Sequence, residues 1–190
     1  HRERVVDVVH TEACSLHASF ADDSKEQMIV NSLFSDGIVK YQIGSHLKGR
    51  RLVLRHYEEQ MIPGTEEDMS WKIADSNLAM TLARSVPKTI SAHIEDFVSR
   101  FDLGPSPVFA VHPGGPSIID AIGDVLNLSD SQLALSRHVF FENGNMSSAT
   151  LPYIWKEVLD QGEIAPGKQV MSLAFGPGLT MCGALFEVVE

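Results

Sequence analysis

Between Pro87 and Leu126 the apolar residues change their period twice, and that change restricts the fold more than any other feature of the sequence. Ile90, Ile94, Phe97, Val98 and Phe101 recur at helical spacing and predict an amphipathic helix that begins at Pro87 and ends before Gly104. Pro107–Val111 is then a short apolar run bounded by turn residues, which predicts a strand. Ile118, Ile119, Ile122, Val125 and Leu126 restore the helical period, with Pro116 near the first turn, where a missing N–H leaves no bond unmade. A strand held between two one-faced helices buries all three apolar surfaces when the helices pack on a sheet.

The partner strands are legible elsewhere. Val5–Val9 is a β-branched run that continues through His10, Thr11 and Glu12 and predicts a buried strand, and Ile38–Ile43 predicts another. Leu52, Leu54 and His56 alternate with Val53, Arg55 and Tyr57, a further alternating stretch surrounds Leu78, Met80 and Leu82, and the polar loop Pro63–Asp68 separates them. Val170–Phe175 and Gly183–Val189 predict two closing strands around the Phe175-Gly176-Pro177-Gly178 turn. Asp23 with Glu26 opens a helix whose stripe is Met28, Ile29, Ser32 and Leu33 and whose C-terminal cap is Gly37. Ser129 with Gln132 opens another that Gly144 ends, and Met146–Asp160 predicts a last helix with Pro152 as a kink or late start. The expected fold class is therefore α/β, with helices packed on a mixed β-sheet. In such folds reactive residues gather at the carboxyl ends of strands, which is where His112 falls.

Charge narrows the partners. Fifteen Lys and Arg against 25 Asp and Glu give a net charge of −10, a field that repels phosphate backbones and anionic lipid headgroups, so neither nucleic acid nor a membrane is an expected partner. The most apolar stretch, Ala174 to Val189, is broken by Gly176, Pro177 and Gly178 and falls short of a bilayer span. Cys14 and Cys182 make neither a disulfide framework nor a metal knuckle, which fits a reducing cytoplasm. The sequence starts without Met and almost directly on a strand pattern, from which we expect further chain upstream.

Several residues carry chemical potential. His112 precedes Pro113-Gly114-Gly115-Pro116, a turn that holds an imidazole rigidly and lets a ligand or another backbone approach closely; a hydrogen-bonded structural histidine fits the local pattern as well. Asn145, after Asn143-Gly144 and before Met146-Ser147-Ser148-Ala149, reads equally as a helix N-cap. Phe175-Gly176-Pro177-Gly178 reads as a hairpin turn. His10, Glu12, Cys14 and His17 invite a metal reading, but on an extended strand 10, 12 and 14 share one face while 17 points away, so no metal is expected. Lys48, Arg50 and Arg51 read as a solvated turn or as contacts to phosphate.

Taken together and in order, His112-Pro-Gly-Gly-Pro, Gly144-Asn145-Met-Ser-Ser-Ala and Phe175-Gly-Pro-Gly-Leu-Thr resemble type III polyketide synthases of the chalcone and stilbene synthase kind, in the thiolase superfamily. Leu33-Phe34-Ser35-Asp36-Gly37 resembles the family's Leu-Phe-Gly-Asp-Gly segment, with Ser35 in place of a glycine. The resemblance covers the later half of such an enzyme and implies a thiolase-like fold, with residues 1–45 ending an N-terminal half and 46–190 forming the C-terminal domain. It implies a Cys-His-Asn constellation in which His112 and Asn145 belong to this chain and the nucleophilic cysteine to a missing N-terminal half.

The implied reaction is decarboxylative Claisen condensation of a starter acyl-CoA with malonyl-CoA. Coenzyme A thioesters are then substrates, with no permanently bound cofactor, and the assembly is a cytoplasmic homodimer formed largely through the N-terminal half. This chain alone is expected to be inactive. By the same resemblance Phe34 is a gating residue between coenzyme A tunnel and cavity. Met80 stands where many plant members have a second gating phenylalanine, and Trp71 where they have glycine. Glu12, Cys14 and His17 fall near the cavity wall, Ser147, Phe175, Gly176, Pro177 and Gly178 match cavity-lining segments, and Gly114, Gly115 and Ser117 are read as coenzyme A contacts. Two other readings compete: a β-ketoacyl-acyl-carrier-protein synthase III-like enzyme, whose motifs tend to His-Gln-x-Asn and Asn-Thr-Ser, and a non-catalytic half-domain used for assembly.

Overall fold

A computed structural model describes residues 4–75, 77–160 and 164–190. Its centre is a four-stranded mixed sheet of β3 (Arg51–Met61), β8 (Thr180–Val189), β7 (Gln169–Gly176) and β6 (Val108–Val111), in that order. β6 and β7 are parallel and the other pairs antiparallel. Helices α2 (Val86–Val98) and α3 (Pro116–Leu126) cover one face, where Ile90, Ile94, Phe97, Ile119 and Ile122 meet Val111, Met171, Leu173 and Met181. On the other face Val139 of α4 (Asp130–Asn143) and Ile154 and Val158 of α5 (Thr150–Asp160) pack on Ala110, Val170 and Val188. Burial on both faces explains why β6 and β7 read as continuous apolar runs rather than alternations. Gly183 lets α2 close on the sheet: a Cβ there would lie 2.6 Å from Phe101 Cζ and 2.9 Å from Phe97 Cε1.

β6 is an edge strand, and α4 closes its outer edge. Ser136 Oγ accepts from Val111 N at 2.8 Å and donates to Phe109 O at 3.2 Å, and Gln132 Nε2 donates to Pro107 O at 3.2 Å. Gln132 also completes the capping box with Ser129 that the sequence predicts, and α4 ends at Gly144 as expected.

Two further ladders stand apart from this sheet. β1 (Val6–Glu12) pairs with β2 (Gly37–Ile43), and β4 (Met69–Ile73) pairs with β5 (Leu78–Leu82). Between β1 and β2 lie a 3₁₀ turn, Cys14–His17, and helix α1 (Lys25–Leu33).

Four sequence expectations need correction. β1 is not buried: Val9 is 55% exposed on the face turned away from His10 and Glu12, and Val6, on their face but at the start of the strand, is 55% exposed as well. α1 is capped by Ser24, whose hydroxyl accepts from Gln27 N, rather than by Asp23, and it buries Gln27 and Val30 while Met28 and Ile29 stay exposed, Ile29 on the cavity wall. Gly37 does not cap α1. The helix stops at Phe34, which is drawn into extended pairing with Asn145, and Gly37 opens β2. β4 is absent from the sequence reading although Met69, Trp71 and Ile73 alternate with Ser70 and Lys72, because five residues after a polar loop make a short signal and the strand stays exposed over its second half.

Candidate active site

His112 follows the last residue of β6, and the sheet still holds its backbone: His112 N donates to Leu173 O at 2.8 Å, and Gly114 N turns back to His112 O at 3.1 Å. The ring is half-buried and lines a cavity of about 910 Å³. Burial pushes its pKa down to about 4, so near pH 7 it is a neutral imidazole with one N–H and one lone pair. Among the described residues it has no hydrogen-bond partner, so both ring nitrogens are left for whatever enters the cavity. A structural histidine of the kind that the local pattern also allowed would carry such a bond; among the described residues this ring carries none.

Asn145 reaches the same cavity from a different direction. Gly144 adopts φ +73°, and its missing Cβ admits Leu33 O, which would lie 3.1 Å from that atom. Asn145 N then donates to Leu33 O at 2.8 Å and Ser35 N donates to Asn145 O at 3.0 Å, a single parallel bridge opposite Phe34. The carboxamide is 2% exposed and its orientation is fixed by its own chain: Oδ1 accepts from Ser147 N at 2.9 Å, which holds Ser147 at φ +49°. Nδ2 is thereby turned toward the His112 turn, where its nearest acceptor, Gly114 O, is a loose 3.4 Å away. Asn145 is thus more than an N-cap, since its nitrogen points at the histidine loop.

Around these two donors the cavity wall includes Phe34, Trp71, Met80, Ser147, Phe175, Gly176 and Pro177, and also Gly114, Gly115 and Ser117. Arg84 is the one guanidinium or ammonium among the lining residues. Four predicted wall positions are not on it. Glu12 accepts a hydrogen bond from Ser148 Oγ, Cys14 is 3% exposed inside the 3₁₀ turn, His17 lies behind Trp71 and Phe34, and Gly178 sits past the turn against Met61 and Thr180. The 3₁₀ turn ends the strand alternation at Glu12, so residues beyond it no longer face where an extended chain would put them. Among the described residues no three His, Cys, Asp or Glu side chains group as a metal site.

His10, Ser148, Trp155 and Cys182 also line the cavity and were not foreseen as wall residues. His10 shared the inward face of β1 with Glu12, which was the available signal. Its Nδ1 is 2.8 Å from Ser148 Oγ. Burial raises the pKa of Cys182, and that of Cys14 to about 11, so both are thiols rather than thiolates near neutrality. Arg50 is neither a solvated turn residue nor a phosphate contact: its Nε donates to Leu159 O at 2.7 Å and its Nη2 to Ile164 O, gripping the chain at the C-terminal end of α5.

Comparison with known proteins identifies the family. Residues 53–190 match the family model for chalcone and stilbene synthases, C-terminal domain. The chain is 29% identical to an alpha-pyrone synthesis polyketide synthase-like protein of Mycobacterium tuberculosis, over 96% of this chain and 49% of that protein. It is also 29% identical to a putative chalcone synthase of Bacillus subtilis, over 97% of this chain and 54% of that one. Among solved structures, 1,3,6,8-tetrahydroxynaphthalene synthase from Streptomyces coelicolor superposes with a TM-score of 0.90 at 25% identity, covering all of this chain and 56% of that one. The type III polyketide synthase domain of a Dictyostelium type I/III hybrid gives 0.87 at 29% identity, with 98% and 54% covered. The chain spans about half the length of the curated relatives it matches. With this fold and these motifs, the chain belongs to the chalcone and stilbene synthase family of type III polyketide synthases, whose C-terminal domain it carries.

Proposed function

We propose that this chain supplies the oxyanion-binding side of a type III polyketide synthase active site, in which a starter acyl-CoA is condensed with malonyl-CoA. The observation that carries the reading is that the His112 ring, which has no hydrogen-bond partner among the described residues, and the Asn145 carboxamide nitrogen line one cavity. Loss of carbon dioxide from a malonyl thioester leaves an enolate, and attack of its carbon on an acyl-cysteine carbonyl gives a tetrahedral oxyanion before the thiolate leaves. Both place negative charge on a thioester oxygen. A neutral imidazole N–H and a carboxamide N–H directed at that oxygen stabilise it more than they stabilise the ground state.

In this reading the nucleophilic cysteine and the opposite wall come from an N-terminal half. Residues 1–45 end that half and 46–190 form the C-terminal domain, a division supported by the separation of the β1–β2 ladder from the four-stranded sheet. The exposed apolar residues of β1 and β2 are the surface such a half would cover, and a cytoplasmic homodimer is the proposed assembly. The test is His112→Ala in the longer protein, with malonyl-CoA decarboxylation and product formation both followed. A loss of about 10²–10³ in both rates is expected for one oxyanion donor. Near wild-type turnover by the folded variant sinks the assignment.

A further inference from the structure

Asn145 follows the least restrained joint in the site. Gly144 takes φ +73° and ψ −166°, a backbone region that glycine reaches and other residues essentially do not, so without outside contacts the chain would swing there and carry the carboxamide with it. One short segment, residues 33–35, bonds to the chain on both sides of that joint. Beyond it, Asn145 N donates to Leu33 O at 2.8 Å and Asn145 O accepts from Ser35 N at 3.0 Å. Ahead of it, the Ser35 hydroxyl donates to Asn143 O.

Of these three bonds only the last depends on a side chain, and Ser35 is the position at which the sequence departs from Leu-Phe-Gly-Asp-Gly. Asn143 is the final residue of α4, where carbonyls run out of partners within the helix. Gly144 N satisfies Phe140 O at 2.8 Å, and the Ser35 hydroxyl takes up the carbonyl next to the joint. The fit is close: a Cβ on Gly144 would lie 3.1 Å from Ser35 Oγ. The carboxamide has no comparable hold of its own. Its bond to Ser147 N turns with the loop, and its contact to Gly114 O is loose at 3.4 Å, so neither fixes where the loop stands.

We infer that Ser35 is a positioning residue for Asn145: its hydroxyl pins the entry to the Gly144 joint and, with the Leu33–Asn145 backbone pairing, holds the carboxamide nitrogen on the cavity wall beside the His112 turn. This role rests on the condensing-enzyme reading above. Without the hydroxyl the last carbonyl of α4 is released, Gly144 turns more freely and Asn145 Nδ2 spends less time aimed at the reacting oxygen, while the cavity keeps the walls that bind substrate.

The experiment centres on Ser35→Ala, alone and combined with Asn145→Ala. In protein labelled with ¹⁵N-asparagine, the Asn145 side-chain amide, assigned with Asn145→Ala, should exchange with solvent about fivefold faster in Ser35→Ala, the equivalent of one ordinary hydrogen bond. In the longer enzyme, Ser35→Ala should lower kcat for malonyl-CoA decarboxylation about fivefold and leave KM unchanged. In the Asn145→Ala background the same change should have no further effect on kcat, because the group it positions is gone. Unchanged amide exchange overturns the pinning. Faster exchange with an unchanged kcat overturns its part in the chemistry, and an equal slowing with and without Asn145 shows that Ser35 acts through another group. A wild-type enzyme that neither decarboxylates malonyl-CoA nor makes polyketide overturns the condensing-enzyme reading and the catalytic side of the role with it, and the exchange data then decide the pinning alone.

Discussion

Replacing Asn145 by Ala should damage stability and chemistry through different atoms, and the two losses are separable. The oxygen of the carboxamide works for the fold, because Oδ1 accepts from Ser147 N at 2.9 Å and holds a residue with φ +49°. A lost hydrogen bond costs about 1 kcal/mol, and a non-glycine residue in the left-handed region carries roughly 1–2 kcal/mol of its own that the bond offsets. Asn145→Ala should therefore destabilise by about 1–2 kcal/mol, with each kcal/mol lowering the thermal midpoint by ~2–4 °C at this size. Ser147→Gly removes the strain that the bond restrains, so in that background Asn145→Ala should cost less, with a coupling of about 1 kcal/mol. Urea unfolding of the four proteins of the cycle measures this. The nitrogen works for the chemistry: the same Asn145→Ala change in the longer enzyme should lower condensation by about 10²–10³ whatever residue stands at 147. A coupling of zero would show that Ser147 is held by something other than Asn145. A rate that recovers along with stability would show that the carboxamide acts only as a brace.

Three further outcomes are expected. Gly183→Ala forces a Cβ into Phe97 and Phe101 at under 3 Å and should destabilise by roughly 1–3 kcal/mol in thermal or urea unfolding, whereas a neutral result would mean that α2 is free to back away. Because the folded-state pKa of His112 is about 4 and its unfolded value is near 6.5, the unfolded chain takes up the proton first. The stability difference between wild type and His112→Gln should therefore be fully present above about pH 6.5 and be lost as pH falls toward 4, by ~3 kcal/mol at most; parallel pH curves would refute the buried neutral ring. Cys14 has a pKa of about 11, so on the order of 0.1% is thiolate at pH 8, and burial also raises the pKa of Cys182, so neither should be acylated by an acyl-CoA; mass spectrometry of the incubated chain checks this, and stoichiometric acylation of either would misplace the nucleophile.

The sequence was most informative where burial is two-sided or a turn is stereochemically specific. β6 and β7 are legible as unbroken apolar runs because both of their faces are covered, and α2 and α3 because each keeps the helical period against one core. Locally His112 and Asn145 were open to structural readings, and it was the family resemblance of the segments around them, taken in order, that singled them out. What was hidden depends on partners distant in sequence. Phe34 stops α1 because Asn145 pairs with it, and the burial of Cys14 and His17 follows from a 3₁₀ turn that no apolar period announces. Arg50 looked like a surface cation because the carbonyls it grips lie at the far end of α5.

The helix that closes β6 has a consequence for where the sheet is able to end. Gln132 and Ser136 are four residues apart on α4, a rise of about 6.0 Å, and they serve backbone groups at 107, 109 and 111 on a strand that advances about 6.6 Å every two residues. A helix thus imitates a neighbouring strand over one such step with a mismatch of only about half an ångström. At the next step the imitation lapses: the outward-facing position is Pro113, which offers no N–H, and the helix residue one turn further on is Phe140, which has no polar atom. Donor and acceptor run out together. The strand is released at His112, and the loop that follows is shaped by its own turn and by the cavity instead of by a neighbouring backbone.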